Sequence, residues 1–167
     1  MTRAAALSLT ALAAVLAGCG QQGGEKQAEG DGAVPAASAP AAPSDEQAQA
    51  LLASLPAPYN TADLANGKRQ FAKCRSCHTL PQGGPNMTGP NLYGVFGRQA
   101  GSKPDYRYSE ALKTAGFAWD GQKLDGWLAD PRGFLPGNKM SFVGVKDQKD
   151  RVDLIAYLKT QTGYTPG

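Results

Sequence analysis

Two cysteines and a histidine stand close enough together in this chain to do chemistry. They occur as Cys74-Arg75-Ser76-Cys77-His78, and His78 is the only histidine among the 167 residues. The spacing Cys-x-x-Cys-His is typical of covalent attachment of a c-type haem, in which each thiol bonds one porphyrin side chain. The pattern therefore predicts one covalent haem held by Cys74 and Cys77, with His78 as a ligand of the iron.

Three other uses of the same cysteines agree less well with the sequence. A structural zinc site needs four protein ligands, whereas this cluster offers three, and adjacent Cys77 and His78 are awkward partners for one tetrahedral ion. The remaining cysteine, Cys19, lies far upstream. A thioredoxin-like thiol pair would open a helix beside a parallel strand, and no strong βαβ pattern occurs. A plain disulfide across two residues is rarer still.

The first 19 residues are typical of an export signal. Arg3 precedes an apolar run over residues 4–17, which is shorter than the roughly 20 residues of a membrane-spanning helix. Residues 16–19 read Leu-Ala-Gly-Cys and resemble a bacterial lipobox. We therefore expect residues 1–19 to be a lipoprotein-type signal peptide, with Cys19 carrying lipid on the bacterial periplasmic side of a membrane. An ordinary signal peptide cleaved nearby is the alternative.

Composition separates a linker from a compact domain. Residues 20–58 are rich in Ala, Pro and Gly and carry one lysine against five acidic residues. Such a segment cannot bury enough surface to order itself, so we expect a flexible acidic linker. Within it, Ser44 and Gln47 favour a capping box for a short helix over residues 45–55. Residues 59–167 carry 15 basic against nine acidic residues and have the usual size of one domain.

The pattern within residues 59–167 predicts an all-α fold with three to five helices and long loops. Periodic apolar residues predict helices over residues 61–73, 108–115, 122–130 and 147–160. Residues 79–101 are rich in glycine and proline and are expected to form a loop. No period-two alternation persists, so no sheet is expected. Gly67 predicts a close crossing of the first and last of these helices, near Phe71.

The sixth ligand of the iron decides between two functions. A His/Met-ligated haem suits electron transfer, whereas an open or labile sixth position suits a peroxidase-like enzyme or a sensor. With no second histidine, methionine is the remaining soft ligand, and Met1 belongs to the leader. Met87 and Met140 remain. The segment between His78 and Met87 is long enough to round the edge of a haem, so spacing alone leaves both methionines open.

Several motifs in register resemble the class I cytochromes c, nearest to the mitochondrial cytochrome c and bacterial cytochrome c2 type. The resemblance covers nearly all of residues 63–163. Besides the haem motif it includes Thr-Gly-Pro-Asn-Leu at 88–92, Gly-Val-Phe-Gly-Arg at 94–98, Pro-Gly-Asn-Lys-Met at 136–140 and Asp-Leu-Ile-Ala-Tyr-Leu at 153–158. It implies the class I cytochrome c fold around one haem c and an electron carrier rather than an enzyme. The leader and linker resemble those of membrane-tethered bacterial relatives.

Carried over to this chain, the resemblance assigns roles around the haem. His78 and Met140 are the implied axial ligands of an iron that cycles between ferric and ferrous. The carbonyl of Pro90 is the implied acceptor for the ring N–H of His78, a contact that orients a metal-binding histidine. The other implied haem-contacting residues are Arg98, Tyr108 and Trp119 at the propionates, Phe142 beside Met140, and Trp127 and Asn138.

Four positions depart from the mitochondrial pattern. Trp127 stands where the mitochondrial proteins have a Tyr near the distal sulfur, and Leu112 stands where they have an Asn. Asn138 replaces a Thr in the ligand loop, and Met87 replaces a Lys that many of these proteins carry. The first three changes alter the polar groups on the distal side, and the last removes one charge from the usual docking face.

The basic charge of residues 59–167 predicts an acidic protein partner. Lys73, Lys139 and Lys146 are candidates for a ring around the exposed haem edge, which would steer such a partner toward it. The resemblance implies a quinol:cytochrome c oxidoreductase of bc1 type as donor. It implies a terminal oxidase or another periplasmic reductase as acceptor, in a respiratory or photosynthetic chain. The lipid bilayer is a further partner through Cys19. Nucleic acid is not expected, because no basic stripe is interleaved with aromatic residues, and we expect a monomer.

Overall fold

A computed structural model describes residues 42–166 of the chain. Its elements, in order, are α1 (Asp45–Ala53), a 3-10 turn (Tyr59–Thr61), α2 (Leu64–Phe71), α3 (Glu110–Lys113), α4 (Gly121–Ala129), α5 (Pro131–Phe134) and α6 (Gln148–Gln161). Within residues 42–166 the only β-type pairing is one isolated bridge between Gln99 and Ala118. The all-α prediction is therefore confirmed. None of the helices among these residues is long and apolar enough to cross a membrane.

Helices α2 and α6 cross closely, as the glycine in α2 predicts. A Cβ atom placed on Gly67 would lie 2.6 Å from the Cβ of Tyr157, and closer still to the backbone oxygen of Asp153. Phe71 and Tyr157 meet one turn further along, with ring centroids 5.9 Å apart. Because only glycine fits at this crossing, the start of the haem motif, which follows α2 directly, is held against α6.

A buried carboxylate ties the start of α2 to α6. Asp153 is 1% exposed and accepts hydrogen bonds from the Asp63 N–H at 2.9 Å, Asn66 Nδ2 at 2.8 Å and Lys149 Nζ at 2.6 Å. Burial alone would raise the pKa of Asp153, but the hydrogen bonds from Lys149, Asn66 and Asp63 outweigh it and hold the pKa below its usual value. The paired charge thus stabilises the helix crossing.

Two helix assignments made from the sequence need correction. The first predicted helix was placed over residues 61–73, but α2 begins at Leu64 because the Asp63 side chain accepts from the Asn66 N–H and caps it. The helix α5 was not predicted at all. Pro131 was interpreted only as the residue that stops α4. It is also the first residue of α5, a position where proline's missing N–H removes no helical hydrogen bond.

The helix predicted inside the linker is present, but it does not belong to a flexible linker. Ser44 and Gln47 form the expected capping box at the start of α1. Leu52 of α1 and Leu55, which follows the helix, are 7% and 3% exposed, and they pack with fully buried Ala156 of α6. The predicted boundary at residues 58–59 is therefore wrong, because the compact part includes α1. The signal peptide, Cys19 and residues 20–41 lie outside the described residues.

Candidate haem site

One large apolar cavity opens between the helices and the loops that join them. It encloses about 1350 Å³, counting its open mouth. Its walls come from α2, α3, α4 and α6, from the loop between α2 and α3, and from the loop that follows α5. Apolar lining residues are Phe71, Leu92, Val95, Leu112, Leu124, Leu128, Leu154 and Leu158. Of these, Leu112 lies in α3 and had been noted from the sequence only as a departure from the mitochondrial pattern.

The two thiols and the histidine lie on one wall of this cavity. The chain turns tightly after α2, with the N–H groups of Cys77 and His78 donating to the carbonyl of Cys74 at 3.0 and 2.9 Å. Cys74, Cys77 and His78 all line the cavity. Burial raises the pKa of the free Cys74 thiol to about 11, so it is protonated at neutral pH. Within residues 42–166 no cluster of three His, Cys, Asp or Glu side chains converges on one point.

The His78 ring is oriented by the loop opposite it. Its Nδ1 lies 2.8 Å from the carbonyl oxygen of Pro90, the pairing that the resemblance implies. Burial lowers the pKa of His78, and the hydrogen bond to Pro90 only partly opposes this. A neutral ring that donates from Nδ1 keeps the lone pair of Nε2 free, and that nitrogen is the one available to a metal.

Gly89 supports the same ring by its lack of a side chain. A Cβ atom there would lie 2.7 Å from both ring nitrogens of His78, and closer still to Cε1. The Gly89 N–H donates to the Cys77 carbonyl at 2.8 Å, so the loop cannot simply move away. Sequence reasoning quoted this glycine within a motif and gave it no role, because its neighbour in space is not its neighbour in the chain.

Of the two candidate methionines, the structure brings Met140 to the cavity. Met140 and Phe142 line the wall formed by the loop after α5, while Trp127 reaches the same cavity from α4. Met87 is 45% exposed and is not among the cavity-lining residues. The geometry therefore makes Met140, and not Met87, the methionine sulfur available to a metal in this cavity.

Asn138 is the one predicted haem-contacting residue that the cavity does not include. Its side chain turns into its own loop, where Nδ2 donates to the carbonyls of Pro131 and Leu135 at 2.7 and 2.8 Å. Its Oδ1 accepts from the Met140 N–H at 2.8 Å. The assignment of Asn138 as a direct cofactor contact is therefore corrected, because the loop backbone uses all of its hydrogen-bonding groups.

Several polar side chains that could contact haem propionates line the cavity around Arg98. Arg98, Tyr108 and Trp119 all line it, and Arg98 is held by a hydrogen bond from Nη1 to the Tyr93 carbonyl at 2.9 Å. Burial raises the pKa of Tyr108, so its hydroxyl remains a donor. The cavity also takes in Tyr106, Arg107 and Ser109, which were not predicted. A guanidinium and several donors at one end suit the carboxylates of a haem.

The residues present therefore fit a covalent haem. Two thiols and one oriented imidazole share a wall, a methionine stands on another, and a cation lies where negative groups would be buried. Apolar side chains form the rest of the cavity, which lowers the local dielectric and excludes water from the metal. Chemically, such an arrangement would hold a haem, with the His78 imidazole and the Met140 sulfur available to its iron.

Comparison with known proteins also identifies a haem protein of the cytochrome c type. Residues 64–162 match the family model described as Cytochrome c. The chain is 47% identical over 98 residues to cytochrome c of Theileria parva, covering 58% of this chain and 84% of that protein. It is 41% identical over 105 residues to cytochrome c2 of Rhodomicrobium vannielii, covering 63% of this chain and 84% of the relative.

A solved structure agrees in fold. Cytochrome cH from Methylobacterium extorquens superposes with a TM-score of 0.56 at 46% identity, covering 60% of this chain and 100% of that one. The family model, which matches residues 64–162, leaves out α1. The chain belongs to the cytochrome c family and is an electron-transfer protein, not an enzyme, that binds one covalently attached haem c.

Proposed function

We propose that this protein is a membrane-tethered electron carrier whose iron is ligated by His78 and Met140. The observation that carries the proposal is that these two side chains, and not Met87, line the same apolar cavity. When bound, the haem supplies one-electron chemistry at its iron. Pro90 orients the imidazole, and Arg98 offers a cation to the propionate end. The protein thereby supplies orientation, low dielectric and axial tuning.

Carbon monoxide distinguishes this carrier from a peroxidase-like enzyme or a sensor. A ferrous iron that keeps both protein ligands has no position for carbon monoxide, whereas an open or labile sixth position binds it. We expect the absorption spectrum of the reduced holoprotein at neutral pH to be unchanged by the gas. The variant Met140→Ala is the matched control and should bind it. Rapid binding by the unmodified protein would reject the carrier and favour the alternative function.

The charges at the cavity mouth support docking to an acidic partner. Lys73, Arg107 and Lys139 are exposed and belong to the cavity wall, and none of the wall residues is acidic. Lys146 instead directs its Nζ to the Ala129 carbonyl and is not part of this wall. A basic rim around a redox centre favours fast, weak and salt-sensitive encounters. We propose a quinol-oxidising complex of bc1 type as donor and a terminal oxidase as acceptor.

Salt dependence tests the docking proposal. We expect the rate of electron transfer to a candidate oxidase to fall as ionic strength rises, because screening weakens attraction between exposed charges. Lys139→Gln should reduce that dependence, while Lys146→Gln, which removes a charge outside the cavity wall, should change it less. An unchanged or rising rate with salt would reject steering by this surface.

The tether proposal rests on the lipobox-like sequence of residues 16–19, which ends in Cys19. Because α1 belongs to the compact domain, the proposed linker shortens to residues 20–44. As a flexible coil that segment would reach roughly 25–30 Å, which keeps the haem domain near membrane-bound partners and raises its effective concentration there. We expect metabolic labelling with a fatty acid to mark the full-length chain and not Cys19→Ser. Release of unmodified protein in soluble form after lysis would contradict the anchor.

A further inference from the structure

The segment that carries Met140 has almost no hydrogen bonds of its own. It follows α5, which ends at Phe134, and runs to Val145, whose backbone N–H donates to the Leu128 carbonyl at 2.7 Å. Near its start, the N–H groups of Leu135 and Asn138 donate to the carbonyls of Pro131 and Leu135 at 3.1 and 3.3 Å. Between residues 139 and 144, the structure gives a hydrogen-bond acceptor to one backbone N–H, that of Met140. That acceptor is the side-chain oxygen of Asn138. The placement of the Met140 backbone therefore depends on the side chain of Asn138.

The Asn138 amide joins three points of the loop at once. Its Nδ2 donates to Pro131, the first residue of α5, at 2.7 Å and to Leu135, where α5 ends, at 2.8 Å. Its Oδ1 accepts from the Met140 N–H at 2.8 Å. The two acceptors and one donor around it define which end of the amide is oxygen. Asn138 thus fixes the distance between α5 and Met140, which faces the cavity.

No other side chain type makes the same set of bonds in this place. Aspartate keeps the acceptor for the Met140 N–H but has no N–H for the carbonyls of Pro131 and Leu135. Threonine offers a single hydroxyl, and alanine offers nothing. Since Asn138 is absent from the cavity wall, its effect on a cofactor can only pass through Met140.

We propose that Asn138 is a positioning residue that holds the Met140 sulfur at the iron and opposes its displacement. The inference rests on the proposed ligation by His78 and Met140 and extends it to a residue that touches neither the haem nor its iron. Without the amide, the loop from 135 to 142 has more conformations in which the sulfur points elsewhere. Binding of the sulfur to the iron must then order the loop, at a cost in conformational entropy. In the unmodified protein the loop is already ordered by folding, so this cost is absent.

Competition with imidazole measures this effect in the ferric holoprotein. Imidazole binds only where the methionine has left, so its apparent affinity reports how readily Met140 detaches. Each lost hydrogen bond changes such an equilibrium by about fivefold. We expect Asn138→Ala to bind imidazole at least about fivefold more tightly than the unmodified protein. Asn138→Asp keeps the acceptor for the Met140 N–H but sets a carboxylate oxygen against the carbonyl oxygens of Pro131 and Leu135, so it should bind imidazole at least as tightly as Asn138→Ala.

Asn86→Ala is the matched control. Asn86 is also a loop asparagine that joins two backbone segments, with Nδ2 donating to the Asp105 carbonyl and Oδ1 accepting from the Asn91 N–H, both at 2.9 Å. We expect it to lose stability in denaturant without tighter imidazole binding. Equal imidazole affinities for Asn138→Ala and the unmodified protein, or an equal shift in Asn86→Ala, would overturn the proposal. Should Asn138→Ala fail to fold, Asn138→Thr, which offers a single hydroxyl, bears the same test and should still bind imidazole more tightly than the unmodified protein.

The same experiment separates this proposal from the ligand assignment. The near-infrared band of an iron–methionine sulfur bond must be present in the unmodified ferric protein and absent in Met140→Ala. If it is missing from the unmodified protein, the ligation by Met140 fails, and the role of Asn138 fails with it. If the band is present while Asn138→Ala matches the unmodified protein in imidazole affinity, only the positioning role fails.

Discussion

Replacing Gly89 with alanine tests how tightly the proximal side of the site is built. The residue before a proline is restricted to extended backbone, which alanine adopts without strain, so the added methyl group is the only perturbation. That methyl would stand 2.7 Å from both ring nitrogens of His78. Because non-bonded carbon atoms prefer about 3.5–4.0 Å, the ring has to retreat by about 1 Å.

The retreat breaks the hydrogen bond to Pro90. It stretches the 2.8 Å contact between Nδ1 and the Pro90 carbonyl oxygen to about 3.8 Å, which is beyond the range of a hydrogen bond. Losing that bond costs about 0.5–1.5 kcal/mol, and overpacking adds about 1–3 kcal/mol. We therefore expect Gly89→Ala to lower the free energy of unfolding by about 2–4 kcal/mol.

Two measurements on the holoprotein check this reasoning. Denaturant unfolding gives the loss of stability, and a redox titration reports the ligand. Since the bond to Pro90 increases the basicity of the His78 ring, its loss should weaken stabilisation of the ferric state and raise the reduction potential. Gly67→Ala is the comparison, because it overpacks the crossing of α2 and α6 and should lower stability alone. A potential unchanged in Gly89→Ala, or shifted equally in both variants, would refute the argument.

Three further changes test the rest of the molecule. Lys159 is 5% exposed, with Nζ 3.5 Å from the ring centroid of Tyr164, and burial lowers its pKa to about 8 despite Asp120. The unfolded chain binds the Lys159 proton more tightly than the folded protein, so stability should rise with pH. In denaturant titrations, the stability of the unmodified protein relative to Lys159→Met should rise by about 1 kcal/mol between pH 7.5 and 9.5, after discounting for solvent screening. A fall over this range would contradict the lowered pKa. Asp153→Asn should lose about 1–3 kcal/mol of unfolding free energy at neutral pH. Because the pKa of Asp153 is lowered from its ordinary value of 3.8, the difference in stability from the unmodified protein should shrink as pH falls below 3.8. A constant difference would reject a charge effect. Leu52→Ala should cost about 2–5 kcal/mol in the single unfolding transition if α1 belongs to the domain core, whereas no change would return α1 to the linker.

The elements with a strong internal pattern were predicted closely. The last helix was expected over residues 147–160 and runs from Gln148 to Gln161, capped by Asp147, because its apolar stripe and its cap are both local features. The helix α1 was predicted as a helix but was assigned to a linker. The acidic and Ala/Pro-rich composition around it hides that Leu52 and Leu55 pack against α6, and that contact joins residues far apart in the chain.

The site divides in the same way. The cysteines and His78 are contained in one motif, so the sequence identifies them without knowledge of the fold. Asn138 was assigned to the cofactor because the resemblance implies it through the motif at 136–140, and only the backbone positions reveal that its amide closes the loop instead. Gly89 acts through a ring that lies across a turn, and the partners of Lys159 come from three separate segments. Such contacts depend on tertiary packing, which composition and spacing do not specify.

The near-infrared absorption of the oxidised protein tests the central claim, ligation of the iron by His78 and Met140, most directly. Spectra should be recorded side by side for the unmodified protein, Met140→Ala and Met87→Ala. The account predicts an iron–sulfur band in the unmodified protein that survives in Met87→Ala and disappears in Met140→Ala. A band that persists without Met140, or that is missing from the unmodified protein, would contradict it.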